Sequence, residues 1–157
     1  GIQALSGALE RGHDFTYICY DNEAYMNTGI QRSGATPRDA ATTTSPAGIV
    51  IPGKPEWKKD LIGICVAHGI RYAATASIAY WNDYITKVGK TLEIDGPTVL
   101  HVLAPCPLGW RFNPSDTVRY ARLAVQTCYF PLYEVENGTY KLSMRATKPL
   151  PVEEFLK

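Results

Sequence analysis

The sequence predicts an α/β fold, with a largely parallel sheet flanked by helices. Strand-like apolar runs alternate along the chain with segments whose apolar residues recur at helical spacing, a pattern typical of parallel strands joined by crossover helices. The 157 residues are 45% hydrophobic and 20% charged, which suits one packed domain and disfavours disorder. We therefore interpret residues 1–157 as a single domain that carries a hairpin near its C-terminus.

The first part of the chain contains one predicted helix, one strand and a long polar loop. Ile2, Leu5 and Leu9 share a helical face. The nearly continuous apolar run over residues 15–20 predicts a strand buried on both faces, as in a parallel sheet. Residues 21–45 are rich in Gly, Thr, Ser and Asn, and loops of this length in compact domains are often functional.

The middle of the chain alternates helices and strands more regularly. Apolar residues at helical spacing predict helices over residues 57–68 and 81–92, the first of which ends at Gly69. Strand-like runs occupy residues 72–75 and 98–103, and the second of these is the clearest buried strand of the sequence.

A helix and a hairpin complete the predicted fold. Ser115 is a good N-cap for a helix that reaches about residue 127. Residues 129–136 and 139–142 predict two antiparallel strands around the turn former Asn137-Gly138. The inward face of the helix is predicted to consist of Val118, Ala121 and Val125.

Composition and charge exclude several classes of partner. The 16 basic and 15 acidic residues give a net charge of +1, so nothing favours nucleic acid or an anionic membrane. No apolar run approaches the ~18 residues that span a bilayer, and residues 1–12 lack a signal-peptide pattern. The four cysteines form no CxxC pair, so we expect a reducing cytoplasm. Because the chain lacks an initial Met and opens within a predicted helix, we interpret it as N-terminally truncated.

Two loops are candidate sites, because ligands bind at the carboxyl ends of strands in such sheets. Residues 21–31 are dense in oxygen-bearing side chains, and oxygen atoms are the ligands of Mg²⁺. A strand that ends in Asp21-Asn22 can supply an amide oxygen and a backbone carbonyl to such an ion. The same residues also fit a simple turn cap, so the pattern alone leaves both interpretations open.

The second candidate loop covers residues 104–113. Its Cys106 lies between two prolines, which hold the backbone in a fixed conformation. Thiolates ligate iron–sulfur clusters, but a [4Fe–4S] cluster needs four of them. On this segment alone, a rigid surface turn with a free thiol is the better interpretation.

Longer segments resemble a known family. Residues 21–37 resemble the thiamine diphosphate loop of the β subunit of pyruvate:ferredoxin oxidoreductase (pyruvate synthase), in the 2-oxoacid:ferredoxin oxidoreductase family of anaerobic metabolism. Residues 101–111 resemble the cluster-binding turn of the same subunit. The resemblance implies a thiamine-diphosphate-binding domain, of which this chain is the C-terminal portion. Further matches occur at residues 68–70, 72–77, 96–97, 130–134 and 151–156.

The resemblance also implies roles for individual residues. Asn22 would hold Mg²⁺ through its side chain and Ala24 through its carbonyl. Tyr25 and Thr28 would line the cofactor pocket, and Asn27 would face the thiazolium and the bound 2-oxoacid as the catalytic residue.

Cys106 would be one ligand of a [4Fe–4S] cluster whose other ligands lie outside this chain. Asp21 and Glu23 receive no role beyond solvation or loop capping, and His101 is interpreted as a packed core histidine.

The implied activity is the reversible oxidative decarboxylation of pyruvate to acetyl-CoA and CO₂. Electrons would pass through the cluster to ferredoxin, and coenzyme A would accept the acetyl group. The implied partners are α, γ and δ-type subunits of the same enzyme, so the chain alone is expected to be inactive. Two alternatives are a non-redox thiamine diphosphate enzyme, such as a decarboxylase or acetolactate synthase relative, and a non-catalytic subunit-binding fragment.

Overall fold

The computed structural model describes residues 1–144 and 148–155. Within these residues, no helix combines the length and the apolar character that crossing a membrane requires. Leu156, the last residue of the matched segment 151–156, lies outside the described residues. The helices are α1 (Ile2–Glu10), α2 (Leu61–Val66), α3 (Trp81–Glu93), α4 (Pro107–Trp110) and α5 (Thr117–Gln126). The strands are β1 (Thr16–Asp21), β2 (Tyr72–Ser77), β3 (Thr98–Leu103), β4 (Tyr133–Glu136) and β5 (Thr139–Leu142).

The five strands form one mixed sheet in the order β1-β3-β2-β4-β5. Strands β1 and β2 both run parallel to β3. The hairpin of β4 and β5 extends the sheet antiparallel to β2. The predicted α/β fold, its parallel centre and its hairpin are therefore confirmed, although the first hairpin strand begins at Tyr133 and not at residue 129.

The core lies on both faces of β2 and β3, in which every residue is buried. Successive side chains of a strand point to opposite faces of the sheet. On one face, Ala73 and Val99 pack against Leu5 of α1 and Ile62 of α2. On the other face, Tyr72, Ala74, Leu100 and Val102 pack against Tyr84 and Val88 of α3. The sheet is thus covered by helices on both faces at its centre.

The burial predicted for the first strand was wrong. Ile18 is 49% exposed and Tyr20 is 70% exposed, because β1 lies at the edge of the sheet. Ile18 stands beside Leu100 in the parallel register, on the face that α3 covers over β2 and β3. Helix α3 leaves the β1 end of that face open.

The predicted start of the helix at residue 57 was also wrong. Helix α2 begins only after Asp60, whose side chain accepts a hydrogen bond from Gly63 N at 2.9 Å, as an N-cap does. Trp57 lies in the preceding loop and is 75% exposed. The guanidinium of Arg38 lies 4.8 Å from the centre of its ring.

The start of the fifth helix differs from the prediction in a similar way. Ser115 is not the N-cap of α5; that position belongs to Asp116, which makes no side-chain cap bond. Asn113 instead caps the preceding turn and accepts a hydrogen bond from Ser115 N at 3.0 Å. A short 3-10 turn over Pro114–Asp116 precedes α5. Val118 is 48% exposed, whereas the other two residues of the predicted inward face, Ala121 and Val125, are buried.

A buried lysine connects three segments near the end of β2. The side chain of Lys87 is inaccessible to solvent. Its Nζ donates to Asp83 Oδ2 at 2.6 Å, to Thr75 O at 2.8 Å and to Ser143 Oγ at 2.7 Å. Burial lowers the pKa of Lys87, and the hydrogen bond to Asp83 partly offsets that effect. Lys87 therefore joins α3 to β2 and to the segment after β5.

We expect Lys87→Met to lower the free energy of unfolding by about 3 kcal/mol, because it leaves the Asp83 carboxylate without its cation in a largely buried position. Urea unfolding measures this change. Lys141→Met, at an exposed position of β5, is the control and is expected to change stability by less than about 0.5 kcal/mol. A loss of less than about 1 kcal/mol for Lys87→Met would show that the buried ion pair contributes little.

Candidate functional site

The two candidate loops meet at the carboxyl ends of β1 and β3. β1 and β3 are parallel and in register, so that Asp21 is paired with Leu103 at their carboxyl ends. Ala104 N donates to Asp21 O at 2.9 Å, one residue beyond the strand pairing. Trp110 Nε1 donates to Asn22 O at 3.2 Å. The loop that follows β1 and the loop that follows β3 are therefore joined by direct hydrogen bonds.

Residues 25–31 fold into a tight hairpin within the first loop. Tyr25 N donates to Gln31 O at 2.9 Å, and Gln31 N donates to Tyr25 O at 3.2 Å. Gly29 has a φ of +115°, a conformation that glycine adopts without steric cost. The Thr28 hydroxyl donates to the Gln31 side chain. Tyr25, Asn27 and Thr28 are all exposed.

Most backbone carbonyls at the start of this loop are already hydrogen-bonded. Ala104 N and Trp110 Nε1 donate to the carbonyls of Asp21 and Asn22, as described above. The carbonyl of Glu23 accepts from Thr36 Oγ1 at 2.6 Å.

Within the described residues, neither the Ala24 carbonyl nor the Asn22 side chain has a hydrogen-bond partner. Both residues line a cavity of about 460 Å³, which Tyr25 and Ile2 of α1 also border. These two unpaired oxygens are suited to a hard cation such as Mg²⁺. Residues 1–144 and 148–155 contain no group of three or more His, Cys, Asp or Glu that could hold a metal ion, so a cation here would need additional ligands.

A cluster of largely buried ionisable side chains lies at the base of this loop, and we call it the Lys58 cluster. It consists of Asp21, Glu23, Lys58, His101 and Tyr129. Lys58 Nζ lies 2.7 Å from Asp21 Oδ2 and 2.7 Å from Glu23 Oε1. His101 Nε2 lies 2.7 Å from Asp21 Oδ2, and the Tyr129 hydroxyl donates to both Glu23 oxygens at 2.8 and 2.9 Å. Asp21 and Glu23 are only 3% and 6% exposed, so the predicted solvation was wrong. The predicted loop capping is confirmed for Asp21, whose Oδ1 accepts a hydrogen bond from Glu23 N at 2.8 Å.

The cluster shifts the pKa values of its members in different directions. Burial alone would raise the pKa of Asp21, but hydrogen bonds from His101 and Lys58 lower it to about 2. Burial raises the pKa of Glu23, and Lys58 and Tyr129 offset that effect only in part. Burial lowers the pKa of Lys58, but the two carboxylates more than compensate and raise it. Lys58 therefore remains a cation between the two acids.

Sequence reasoning could have found part of this cluster. Cys19 pairs with His101 in the parallel register, so Asp21, two residues further on, points to the same face as His101. A histidine and an aspartate on one face near the ends of two neighbouring strands are a recognisable signal. Lys58 gives no such signal, because it comes from a loop without periodicity.

Cys106 lies next to the first loop. It is the N-cap of α4 and is partly buried. A Cβ atom at Gly109 would collide with Met26 Sδ and would lie 3.7 Å from Cys106 Sγ. Gly109 thus allows Met26 of the first loop to approach the turn that carries Cys106. The predicted roles of Asn22, Ala24, Tyr25, Asn27, Thr28 and Cys106 stay predictions.

Comparison with known proteins identifies the class of protein. The family model described as thiamine pyrophosphate enzyme, C-terminal TPP binding domain, matches residues 1–102. The chain therefore belongs to the thiamine pyrophosphate enzyme family. This membership supports thiamine diphosphate as the cofactor.

Relatives within that family have more specific names. The chain is 57% identical over 157 residues to pyruvate synthase subunit PorB of Methanosarcina barkeri, which covers 100% of this chain and 53% of the relative. It is 57% identical over 159 residues to ketoisovalerate oxidoreductase subunit VorB of Pyrococcus furiosus, with 100% and 51% covered. The chain spans about half the length of these relatives. They confirm the resemblance to the pyruvate synthase β subunit.

A solved structure supports the fold. The 2-oxoglutarate:ferredoxin oxidoreductase from Magnetococcus marinus, with 2-oxoglutarate, coenzyme A and succinyl-CoA bound, aligns with a TM-score of 0.61. The alignment covers 78% of this chain and 41% of that chain, at 24% sequence identity. This similarity concerns the fold alone.

The lowered pKa of Asp21 predicts a specific loss of stability in acid. A carboxyl group whose folded pKa lies below its unfolded value stabilises the fold above the unfolded pKa, and the effect disappears as the pH falls through the folded pKa. A shift from 3.8 to about 2 corresponds to about 2 kcal/mol, lost progressively from about pH 5 towards pH 2. Urea unfolding at several pH values, without divalent cations, should show this loss in the wild type and a smaller one in Asp21→Asn. Parallel pH curves for the two proteins would contradict the assignment.

Proposed function

We propose that the chain is part of a thiamine-diphosphate-dependent 2-oxoacid:ferredoxin oxidoreductase that converts pyruvate and coenzyme A reversibly to acetyl-CoA and CO₂. The observation that carries the proposal is the direct junction of the two loops. It brings the unpaired oxygens of Asn22 and Ala24 to the same sheet edge as Cys106. A cofactor site and a redox site side by side suit an enzyme that couples decarboxylation to electron transfer.

The residues around the cavity fit a magnesium–thiamine diphosphate complex. In the proposal, the Asn22 amide and the Ala24 carbonyl bind Mg²⁺, which typically bridges protein to phosphate oxygens. Ile2, at the start of α1, borders the same cavity, and the backbone N–H groups at a helix N-terminus favour anions such as a diphosphate. Tyr25 forms part of the cavity wall, and Thr28 stabilises the hairpin that presents Asn27. When bound, the cofactor supplies the electron sink that decarboxylation of a 2-oxoacid requires.

Cys106 is the proposed link to electron transfer. The prolines on both sides fix its backbone, and its thiolate would supply one of the four ligands of a [4Fe–4S] cluster. The other ligands would come from sequence outside this chain. A cluster at this turn would lie close to the Met26 side of the cofactor loop and would pass electrons to ferredoxin.

We propose α, γ and δ-type subunits of the same enzyme as partners, one of which supplies the glutamate that activates the cofactor, and we propose the cytoplasm as the location. Relatives named for pyruvate and for ketoisovalerate are equally identical to this chain, at 57%. An assay of the assembled enzyme with pyruvate and with ketoisovalerate tests the proposed preference for pyruvate.

We expect Cys106→Ala to abolish 2-oxoacid- and coenzyme-A-dependent reduction of ferredoxin or a viologen dye. The full-length subunit, coexpressed anaerobically with its partners, should lose iron in this variant and keep its thiamine diphosphate. Cys128→Ala is the matched control, because Cys128 is exposed and lies outside the proposed site. Full iron content and dye reduction in Cys106→Ala would refute the cluster role. Cofactor-dependent decarboxylation by the wild type without dye reduction would favour a non-redox thiamine diphosphate enzyme.

Two asparagine variants should separate cofactor binding from turnover. Asn22→Ala should raise the Kd for Mg²⁺ at least about 10-fold, because it removes a ligand atom from a cation. Asn27→Ala should leave that Kd unchanged and lower kcat about 100-fold, the typical cost of losing one polar group that faces the reacting atoms. Calorimetric titration and steady-state assays measure the two quantities. Equal effects of both variants on the Mg²⁺ Kd would contradict the assigned roles.

A further inference from the structure

The Lys58 cluster adjoins the turn that carries the two proposed Mg²⁺ ligands. Asp21 and Glu23 are the sequence neighbours of Asn22, and Glu23 also precedes Ala24. Lys58 contacts both carboxylates, and its side chain is 24% exposed where it borders the cavity. Asp21 and Glu23 are thus adjacent in sequence to the proposed ligands. Lys58 contacts both of these carboxylates, His101 contacts Asp21 and Tyr129 contacts Glu23.

The backbone of this turn has a conformation that its sequence does not favour. Glu23 has a φ of +72°, in the left-handed region that residues other than glycine rarely adopt. Such a conformation persists when the surroundings fix it. Glu23 N donates to Asp21 Oδ1 at 2.8 Å, and its carboxylate is held by Lys58 and Tyr129. Rotation at Glu23 would redirect the Ala24 carbonyl relative to the Asn22 side chain. The contacts of Glu23 therefore set the relative orientation of these two groups.

The contacts on the Glu23 carboxylate come from distant parts of the chain. Lys58 is 35 residues from Glu23, and Tyr129 is 106 residues from it. Local sequence preference would not hold the turn in this form, since no glycine is present at position 23. The buried Glu23 carboxylate is held by one ionic contact, from Lys58, and by hydrogen bonds from the Tyr129 hydroxyl to both of its oxygens.

We propose that Lys58 and Tyr129 act through Glu23 as positioning residues for Mg²⁺–thiamine diphosphate. They hold the turn so that the Asn22 amide and the Ala24 carbonyl converge on one cation. This inference rests on the proposed function and adds residues to it that do not themselves contact the ion. Partners that orient metal ligands in this way commonly change metal affinity 10–100-fold when they are removed.

The test is a calorimetric titration of Mg²⁺ into the full-length subunit assembled with its partners, at saturating thiamine diphosphate. Lys58→Met should raise the Kd about 10-fold or more, and Tyr129→Phe, which removes one hydroxyl, about 3-fold to 10-fold. Lys58→Arg should restore the Kd to within about 3-fold of the wild type, because a guanidinium can contact both carboxylates. The KM for the 2-oxoacid should stay unchanged in every variant that binds the cofactor. Lys141→Met serves as the control, and thermal unfolding shows whether each variant is folded.

Glu23→Gln distinguishes positioning from a simple charge effect. Positioning predicts weaker Mg²⁺ binding both in Glu23→Gln and in Lys58→Met. If the charge near the ion alone mattered, removal of the lysine would strengthen binding and removal of the carboxylate would weaken it. Opposite shifts would therefore overturn the proposal.

The remaining outcomes are equally decisive. If Lys58→Met does not fold, the Mg²⁺ Kd of Tyr129→Phe is the test. A value for that variant within about 2-fold of the wild type would overturn the proposal. If the wild type binds Mg²⁺–thiamine diphosphate and the folded variants bind it equally well, only the positioning role fails. If the assembled wild type does not bind it at all, the proposed function and the positioning role fail together.

Discussion

The candidate site depends on the parallel pairing of β1 with β3. The two strands run in the same direction and in register, so their last residues, Asp21 and Leu103, lie side by side. The loops that follow have to leave the sheet side by side, and hydrogen bonds from Ala104 and Trp110 then join them. An antiparallel pairing of the same strands would place the two loops at opposite ends of the molecule. The meeting of the proposed cofactor loop with Cys106 is thus a consequence of strand direction.

The long loop between β1 and α2 is ordered by buried charges rather than by an apolar core. Lys58 balances two carboxylates of the Lys58 cluster. Lys54, which is 1% exposed, donates to Thr36 O at 2.6 Å. A Cβ atom at Gly53 would collide with the carbonyl of Ala40, so the chain packs closely against itself there. Buried charges cost free energy unless they are paired, and this requirement allows few arrangements of the loop.

Some elements could be predicted from the sequence alone. A run of apolar residues predicts the buried strands β2 and β3, and an Asn-Gly pair predicts the turn of the hairpin. β1 carries the same apolar run, but no pattern reveals that a strand lies at an edge. The spacing of Trp57 fits a helix, yet the Asp60 cap places the start of the helix later. The Lys58 cluster joins residues up to 106 positions apart, beyond the reach of any local pattern, and the roles of Asn22 and Asn27 came from family resemblance.

The strand order also has a consequence for biosynthesis. In the part of the chain that the structure describes, β1 has only β3 as a strand neighbour, and Thr16 is separated from its partner Thr98 by 82 residues. A ribosome makes roughly 5–20 residues per second, so β1 waits several seconds before its partner emerges. During that interval β1 lacks the strand neighbour that the described residues give it, and unpaired apolar segments are prone to aggregate. Slowing translation between residues 21 and 98 would lengthen this vulnerable period, whereas chaperones that bind short apolar segments would protect the chain through it.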